Sequence, residues 1–311
     1  MTSAPAIDKL ALIGVGLIGG SIVRAAREHK LVGEVVVVDA SPAHRARVEE
    51  LGLADTVTGD VAEGVAGADL VVIATPVLAT ADVAAVAAAA MKPGATLTDV
   101  GSVKAGPAEA MHAAAPAGVY VVPGHPIAGT EHSGPDAGFA ELFENRWTIL
   151  TPKINDDEAY ALAVARLSSF WRAIGANVEL MDEKHHDLVL AVTSHLPHLI
   201  AYTIVGSAAD LENVTESEVM KYSAGGFRDF TRIAASDPTM WRDVFLTNKD
   251  AVLEMLGRFT EDLQAMSRAI RWGDGDALHA QFTRTRAIRR GIVAAGQETP
   301  EANFGRDHRA P

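Results

Sequence analysis

The chain has 311 residues, room for two domains, and its 40 Asp and Glu against 27 Lys and Arg give a formal net charge of -13. That balance, with no Lys/Arg cluster to relieve it, argues against nucleic acid as a partner and requires any anionic ligand to meet a local pocket of positive charge. The lack of cysteine excludes disulfides, thiolate metal sites and a cysteine nucleophile; the opening MTSAPAIDKL carries no apolar signal core and no membrane span is expected, so a cytoplasmic protein is expected.

Leu10 to Ile13 reads as a buried strand, GVGLIGGS turns the chain into a helix reaching about His29, and Glu34 to Val38 supplies a second strand ending at Asp39. In this βαβ unit Gly14, Gly16 and Gly19 give a tight turn, a close backbone approach to a pyrophosphate and close helix packing. Leu17 and Ile18 open the helix whose N-terminus faces the phosphates. Asp39, 20 positions beyond Gly19, is placed to accept from ribose hydroxyls and to repel a 2′-phosphate. NAD is therefore favoured over NADP, although Arg45 or Arg47 keeps recruitment of a phosphate open.

Ala68 to Thr75, Thr96 to Val100 and Val119 to Val122 continue the strands, alternating with alanine-rich helical stretches such as Ala81 to Ala90. Alternation of this kind predicts a parallel sheet, whose ligands lie outside the carboxyl ends of the strands. Thr75, Ser102 and His125 all fall just past those ends. His125 stands in GHPIAGTE, read as a rigid turn that holds it at a strand's end. Trp147 to Pro152 is a further strand, then an amphipathic helix runs from about Asp156 to Ile174, closed by Gly175, and Asn177 to Leu180 is the last strand.

After Met181 the alternation stops. Helical runs are expected at about Asp182 to Ala209, Pro238 to Trp272 and Asp276 to Arg290, with glycine breaks at Gly225-Gly226 and Gly273 to Gly275. The boundary is placed near 181: a dinucleotide-binding domain over 1–180, a helical domain over 181–295, and a polar tail over 296–311 expected to be mobile. Within the helical part Ser194 and His198 are four apart and share a face, while His195 points elsewhere and Pro197 removes a backbone hydrogen bond and can kink the helix. No HExxH accompanies these histidines, so no metal is expected. FRDFTRIAASDPTMW, with Arg228, Asp229 and Arg232, reads as a loop entering a helix, Asp237 capping it and Pro238 at its first position.

Taken in order, the glycine loop, GSVK (Gly101 to Lys104), HPIAGTE, SHLPH (Ser194 to His198) and TRIAASDPTMW resemble the prephenate and arogenate (cyclohexadienyl) dehydrogenases of tyrosine biosynthesis, from about Lys9 to about Arg290. The resemblance implies an α/β fold, a Rossmann-type doubly wound parallel sheet followed by an all-helical domain that forms a homodimer. It implies NAD-dependent oxidative decarboxylation of prephenate to 4-hydroxyphenylpyruvate. By the same resemblance His125 would be the catalytic histidine and Ser102 its neighbour near nicotinamide and substrate. Ser194, His198 and Arg232 would bind substrate, and Lys104, Glu131, Asp229 and Trp241 would line the pocket. Arogenate as substrate, or both substrates, stays open, as do the roles of His185, His186 and His195. A β-hydroxyacid dehydrogenase would instead carry a catalytic lysine on a helix, and a non-catalytic NAD-binding regulator would not need His125, Ser102 and Arg232 together.

Overall fold

The computed structural model describes residues 7–130, 132–155, 157–215 and 225–294, with backbone alone for 211–215 and 294. Glu131 and the expected tail lie outside the described residues. The chain divides into two compact units, Met1–Ala251 and Val252–Pro311.

The first unit is built on six parallel strands: β1 (Ile7–Ile13), β2 (Val32–Val38), β3 (Thr56–Thr58), β4 (Leu70–Ile73), β5 (Thr96–Asp99) and β6 (Tyr120–Val121), in the order β3-β2-β1-β4-β5-β6. Helices α1 (Leu17–Glu28), α2 (Pro42–Glu50), α3 (Val61–Val65), α4 (Thr80–Ala90) and α5 (Ala105–Ala114) make the crossovers. The buried stretches Leu10–Ile13, Val35–Val38 and Leu70–Ile73 are apolar because both faces are covered. Leu10 and Leu12 of β1 pack with Ile22, Val35 and Val37 on one face, while Ala11 and Ile13 pack with Val36, Val71 and Ile73 on the other. Order reverses between β1 and β4, which opens the ligand crevice beside the first glycine loop.

A second, smaller sheet was not expected. Gly124–Pro126 is itself a strand, β7, antiparallel to β8 (Trp147–Leu150), which pairs in parallel with β9 (Asn177–Leu180); His125 lies opposite Ile149. The rigid turn expected around His125 is therefore corrected to a strand. Gly124 makes it possible: a Cβ there would stand 3.0 Å from the Leu150 side chain and 3.2 Å from the Asp99 carbonyl oxygen. Between β8 and β9 runs α6 (Glu158–Ala173), whose Phe170 and Trp171 pack into the core with Phe143.

Beyond β9 the helices α7 (Glu183–Leu190) and α8 (Leu196–Thr215) are joined by a π-helical turn, Ala191–His195. Pro197 has no N–H to give to the previous turn, and the wider π turn directly before it absorbs the lost bond. Among the described residues one helix, Glu183–Asp210, is by length and composition able to cross a membrane, with mean hydropathy 1.6, contrary to the expectation that no stretch would qualify. Its polar residues His186, Asp187 and His195 are nevertheless buried and hydrogen-bonded within the fold. The block read as a loop is helical, with Gly225–Thr231 followed by a 3-10 turn at Arg232–Ala235; Asp237 caps the next helix, Pro238–Thr247, by accepting from Thr239 N and Met240 N at 2.7 and 3.0 Å. Asn248 (φ -102, ψ 31) then breaks the long run expected to reach Trp272. In the second unit the helix ending at Trp272 is followed by Gly273 (φ +68) and the helix Gly275–Ala294.

Candidate active site

The glycine loop follows β1 as its spacing requires. Gly14 has φ +96, and a Cβ there would stand 2.6 Å from the Ala74 carbonyl oxygen. A Cβ on Gly19 would strike the Gly14 oxygen at 2.2 Å, whereas one on Gly16 would meet nothing within 4 Å. Gly16 thus faces open space at the start of α1, whose first turn has no side-chain cap, and anion-seeking N–H groups stand ready there. Leu17 is buried under the loop and Ile18 partly so. At the carboxyl end of β4, Thr75 presents a buried Oγ1 with no hydrogen-bond partner. These features fit a dinucleotide: an open glycine, an uncapped helix start and an orphaned hydroxyl on one crevice.

Asp39, at the end of β2, is oriented by bonds from Val15 N (2.9 Å) and Ser41 N (2.8 Å). The two arginines that kept a 2′-phosphate open are otherwise engaged. Arg45 donates to the Asp39 and Ala40 carbonyl oxygens at 2.7 and 3.0 Å, and Arg47 grips the Asp136 carboxylate with its Nε at 2.9 and 3.1 Å while also donating to Glu50.

Behind the crevice lies a buried polar cluster. Lys104, which the GSVK motif places just after β5, is wholly buried; its ammonium pairs with Asp99 and donates to the Gly124 carbonyl oxygen at 2.7 Å. Burial pulls its pKa down, and the Asp99 charge opposes that pull. Lys104 is thus corrected from pocket lining to a strut tying β5 to β7. Asp99 also accepts from Gly101 N and Gly124 N at 2.9 and 3.2 Å, so it fixes the loop carrying Ser102 and the strand carrying His125. Asp187 of α7 accepts from Lys104 N (2.7 Å) and Ala105 N (2.9 Å), capping α5 from another helix.

His125 stands over this cluster. Its Nδ1 is 2.9 Å from Nε2 of His186, whose Nδ1 is 2.8 Å from Asp187 Oδ1. Dense surroundings hold the His125 pKa well below the ordinary imidazole value, with the His186, Lys104 and His195 charges adding to the effect. Burial lowers His186 as well, against the Asp187 hydrogen bond. His195 is fully buried, pushed down to about 4 by desolvation, and its Nδ1 lies 3.1 Å from Asn248 Nδ2, which also donates to the Asp187 carbonyl oxygen at 2.9 Å. His198 donates from Nδ1 to the Ser194 carbonyl oxygen at 2.8 Å and stacks on Trp241 at 3.6 Å between ring centres. Its pKa is lowered by burial and further by the Arg232 charge, against the hydrogen bond to Ser194.

Comparisons with known proteins now decide the family. A family model described as prephenate dehydrogenase, nucleotide-binding domain, matches residues 22–180, and one described as prephenate dehydrogenase, dimerization domain, matches residues 182–284. The chain belongs to the prephenate dehydrogenase family. It is 43% identical over 280 residues to a cyclohexadienyl dehydrogenase of Zymomonas mobilis, covering 90% of this chain and 94% of that one. With a prephenate dehydrogenase of Bacillus subtilis it shares 34% identity over 286 residues, 92% of this chain and 76% of the relative. The crystal structure of prephenate dehydrogenase from A. aeolicus, in complex with hydroxyphenyl propionate and NAD+, superposes with a TM-score of 0.84 at 32% identity, covering 92% and 98% of the two chains.

Within this family member, contacts join several of the expected positions: His195, next to Ser194, meets Trp241 edge to face at 6.1 Å, and His198 stacks on the same Trp241. Asn248 joins His195 to Asp187, which bonds the His186 that meets His125. Asp229 is exposed and pairs with Arg228 at 3.7 Å. Trp241 is only 6% exposed and supports the His198 ring from behind. Sequence reasoning left out Asp99, Asp187 and Asn248 and gave His186 no role. Asp99 ends a strand and Asn248 follows a helix, positions where such residues are common without function; only the fold reveals their partners.

Proposed function

We propose that this chain is an NAD-dependent prephenate dehydrogenase that converts prephenate to 4-hydroxyphenylpyruvate and carbon dioxide. The observation that carries the reading is His125: an imidazole kept neutral by its surroundings, at the carboxyl side of a dinucleotide-binding sheet, in a member of this family. The A. aeolicus relative was crystallised with NAD+ and a phenol-bearing carboxylate, which supports a phenolic product and the same cofactor here. Asp39, with Arg45 and Arg47 already engaged, supports NAD over NADP.

Bound in the crevice, NAD supplies the hydride acceptor. Gly14, Gly16 and Gly19 with Leu17 and Ile18 would hold its pyrophosphate at the start of α1, Asp39 its ribose, and Thr75 and Ser102 its nicotinamide end. His125 takes the proton of the ring hydroxyl as hydride leaves the same carbon. The bond from the ring to its carboxylate then breaks; those electrons aromatise the ring and place charge on the former hydroxyl oxygen, which recovers the proton from His125. Arg232 holds a substrate carboxylate, in a protein whose net charge of -13 makes a local cation necessary. Ser194 and His198 complete the contacts.

We also assign the cofactor part to 1–180 and the substrate-binding and dimer-forming part to 181–295, and expect a cytoplasmic homodimer; the match to a dimerization domain supports the dimer. Arogenate turnover is the second reading, favoured by the similarity to a cyclohexadienyl dehydrogenase. Purified protein given NAD and either substrate distinguishes them: NADH formation with prephenate is expected, and arogenate turnover alone would replace the first reading with the second. Failure with both would leave a non-catalytic NAD-binding role.

A further inference from the structure

Behind the base stands a chain of three side chains whose bonding admits one proton arrangement. Asp187 can only accept: its Oδ1 takes the Lys104 N–H at 2.7 Å and faces His186 Nδ1 at 2.8 Å, and its Oδ2 takes the Ala105 N–H. Nδ1 of His186 must therefore carry its hydrogen, and in the neutral ring Nε2 is then a bare acceptor. His125 Nδ1 lies 2.9 Å from that acceptor, so it must be the donor. One tautomer follows for His125, with hydrogen on Nδ1 and a free lone pair on Nε2.

We propose that His186 and Asp187 are positioning residues for prephenate oxidation, which fix His125 in the tautomer whose Nε2 accepts the substrate's hydroxyl proton. This rests on the reading of His125 as the base. The rings meet edge to face, at 65° with centres 5.1 Å apart, so the contact is directional. His186 is fully buried and cannot itself reach substrate. When His125 becomes imidazolium, the donated Nδ1–H strengthens and the Asp187 charge supports it through His186, with no change of partners. Asp187 is held in turn by the N-terminus of α5, and Asn248 donates to its backbone carbonyl oxygen. Two loops and two helices thus converge on the orientation of one ring.

Because Asp187 also caps α5, its loss would mix positioning with folding, and His186 is the cleaner target. His186→Ala removes the acceptor; His186→Gln returns a carbonyl oxygen near the place of Nε2 but cannot carry a proton onward. We expect His186→Ala to lower kcat by roughly 10- to 10³-fold, with KM for prephenate and Kd for NAD each within about threefold of the parent, and His186→Gln to recover at least about tenfold of that loss. Wild-type kcat in His186→Ala, or no recovery in His186→Gln, would overturn the assignment. So would parallel losses of kcat, KM and NAD binding, which would mark a purely structural residue. Nitrogen-15 NMR of the histidines in the intact protein at neutral pH gives an answer independent of any variant: hydrogen on Nδ1 of both His125 and His186 is expected, and hydrogen on Nε2 of His125 contradicts it. Absence of prephenate turnover in the parent would count against the function, whereas the wrong tautomer counts only against this relay.

Discussion

At the scale of single residues, burial rather than charge pairing decides the state of the histidines around the site. His125, His186, His195 and His198 are all lowered from the ordinary value, His195 to about 4, and desolvation is the first cause for each. The groups facing His125 are His186, Lys104 and His195, each of which would repel an added proton. The base form of His125 is therefore filled at pH 7. Plots of kcat/KM for prephenate against pH should stay flat down to about 6.5 and fall only below it, as His125 is protonated. An acid limb centred above about 7 would show that its surroundings do not act as described. Stability has the same sign. Histidines with lowered folded-state values bind fewer protons folded than unfolded, so their contribution is complete above about 6.5 and is lost as pH falls toward 4; urea midpoints measured across that window should decline. Arg232 is exposed, and the role proposed for it, gripping a substrate carboxylate, would act in ground and transition states alike. Arg232→Ala should raise KM for prephenate by roughly 10- to 100-fold and lower kcat less, and a loss confined to kcat would move Arg232 out of the binding role.

Among the elements, the glycine loop was the most legible, because each glycine answers a steric demand that no other residue meets. Gly14→Ala would force φ +96 on an alanine whose Cβ strikes the Ala74 oxygen, a strain of about 1–3 kcal/mol that should lower the melting temperature and weaken NAD binding together. A normal Kd for NAD in a folded Gly14→Ala protein would speak against this loop as the cofactor cradle. Five of the six strands of the main sheet were equally readable, since residues buried on both faces make apolar runs, but the short edge strand β3 (Thr56–Thr58) was not read. Less legible was β7. Three residues, one of them proline, give no periodic signal, and their strand exists only because β8 arrives to pair with them from 22 or more positions away. The break at Asn248 was hidden for a related reason: helix propensity runs on through it, and tertiary bonds to Asp187 and His195 override it. Asn248→Ala should cost about 1–3 kcal/mol in denaturant unfolding by leaving the Asp187 carbonyl and His195 Nδ1 without their donor; an unchanged midpoint would make the break incidental.

For the whole molecule, an acidic chain with net charge -13 needs a local cation wherever an anion is to bind. Lys104 ties β5 to β7 from inside, whereas Arg232 is exposed. Sequence spacing revealed which histidine heads a motif but not what stands behind it: His186 and Asp187 carry no motif of their own, and α7 brings them to His125 across 61 positions. Charge type alone could not separate Lys104 from a ligand-binding lysine either, because that difference is burial. The second unit exposes Leu253, Leu263, Ile270, Trp272 and Phe282, an apolar surface suited to the expected homodimer. Sedimentation should give twice the mass of 32.7 kDa, and a monomer at micromolar concentration would refute that arrangement. The account turns most on His125. Steady-state kinetics of His125→Asn with prephenate and NAD should show kcat lowered by roughly 10² to 10⁴-fold with KM for both ligands nearly unchanged, whereas wild-type turnover in that variant would contradict its role as the base.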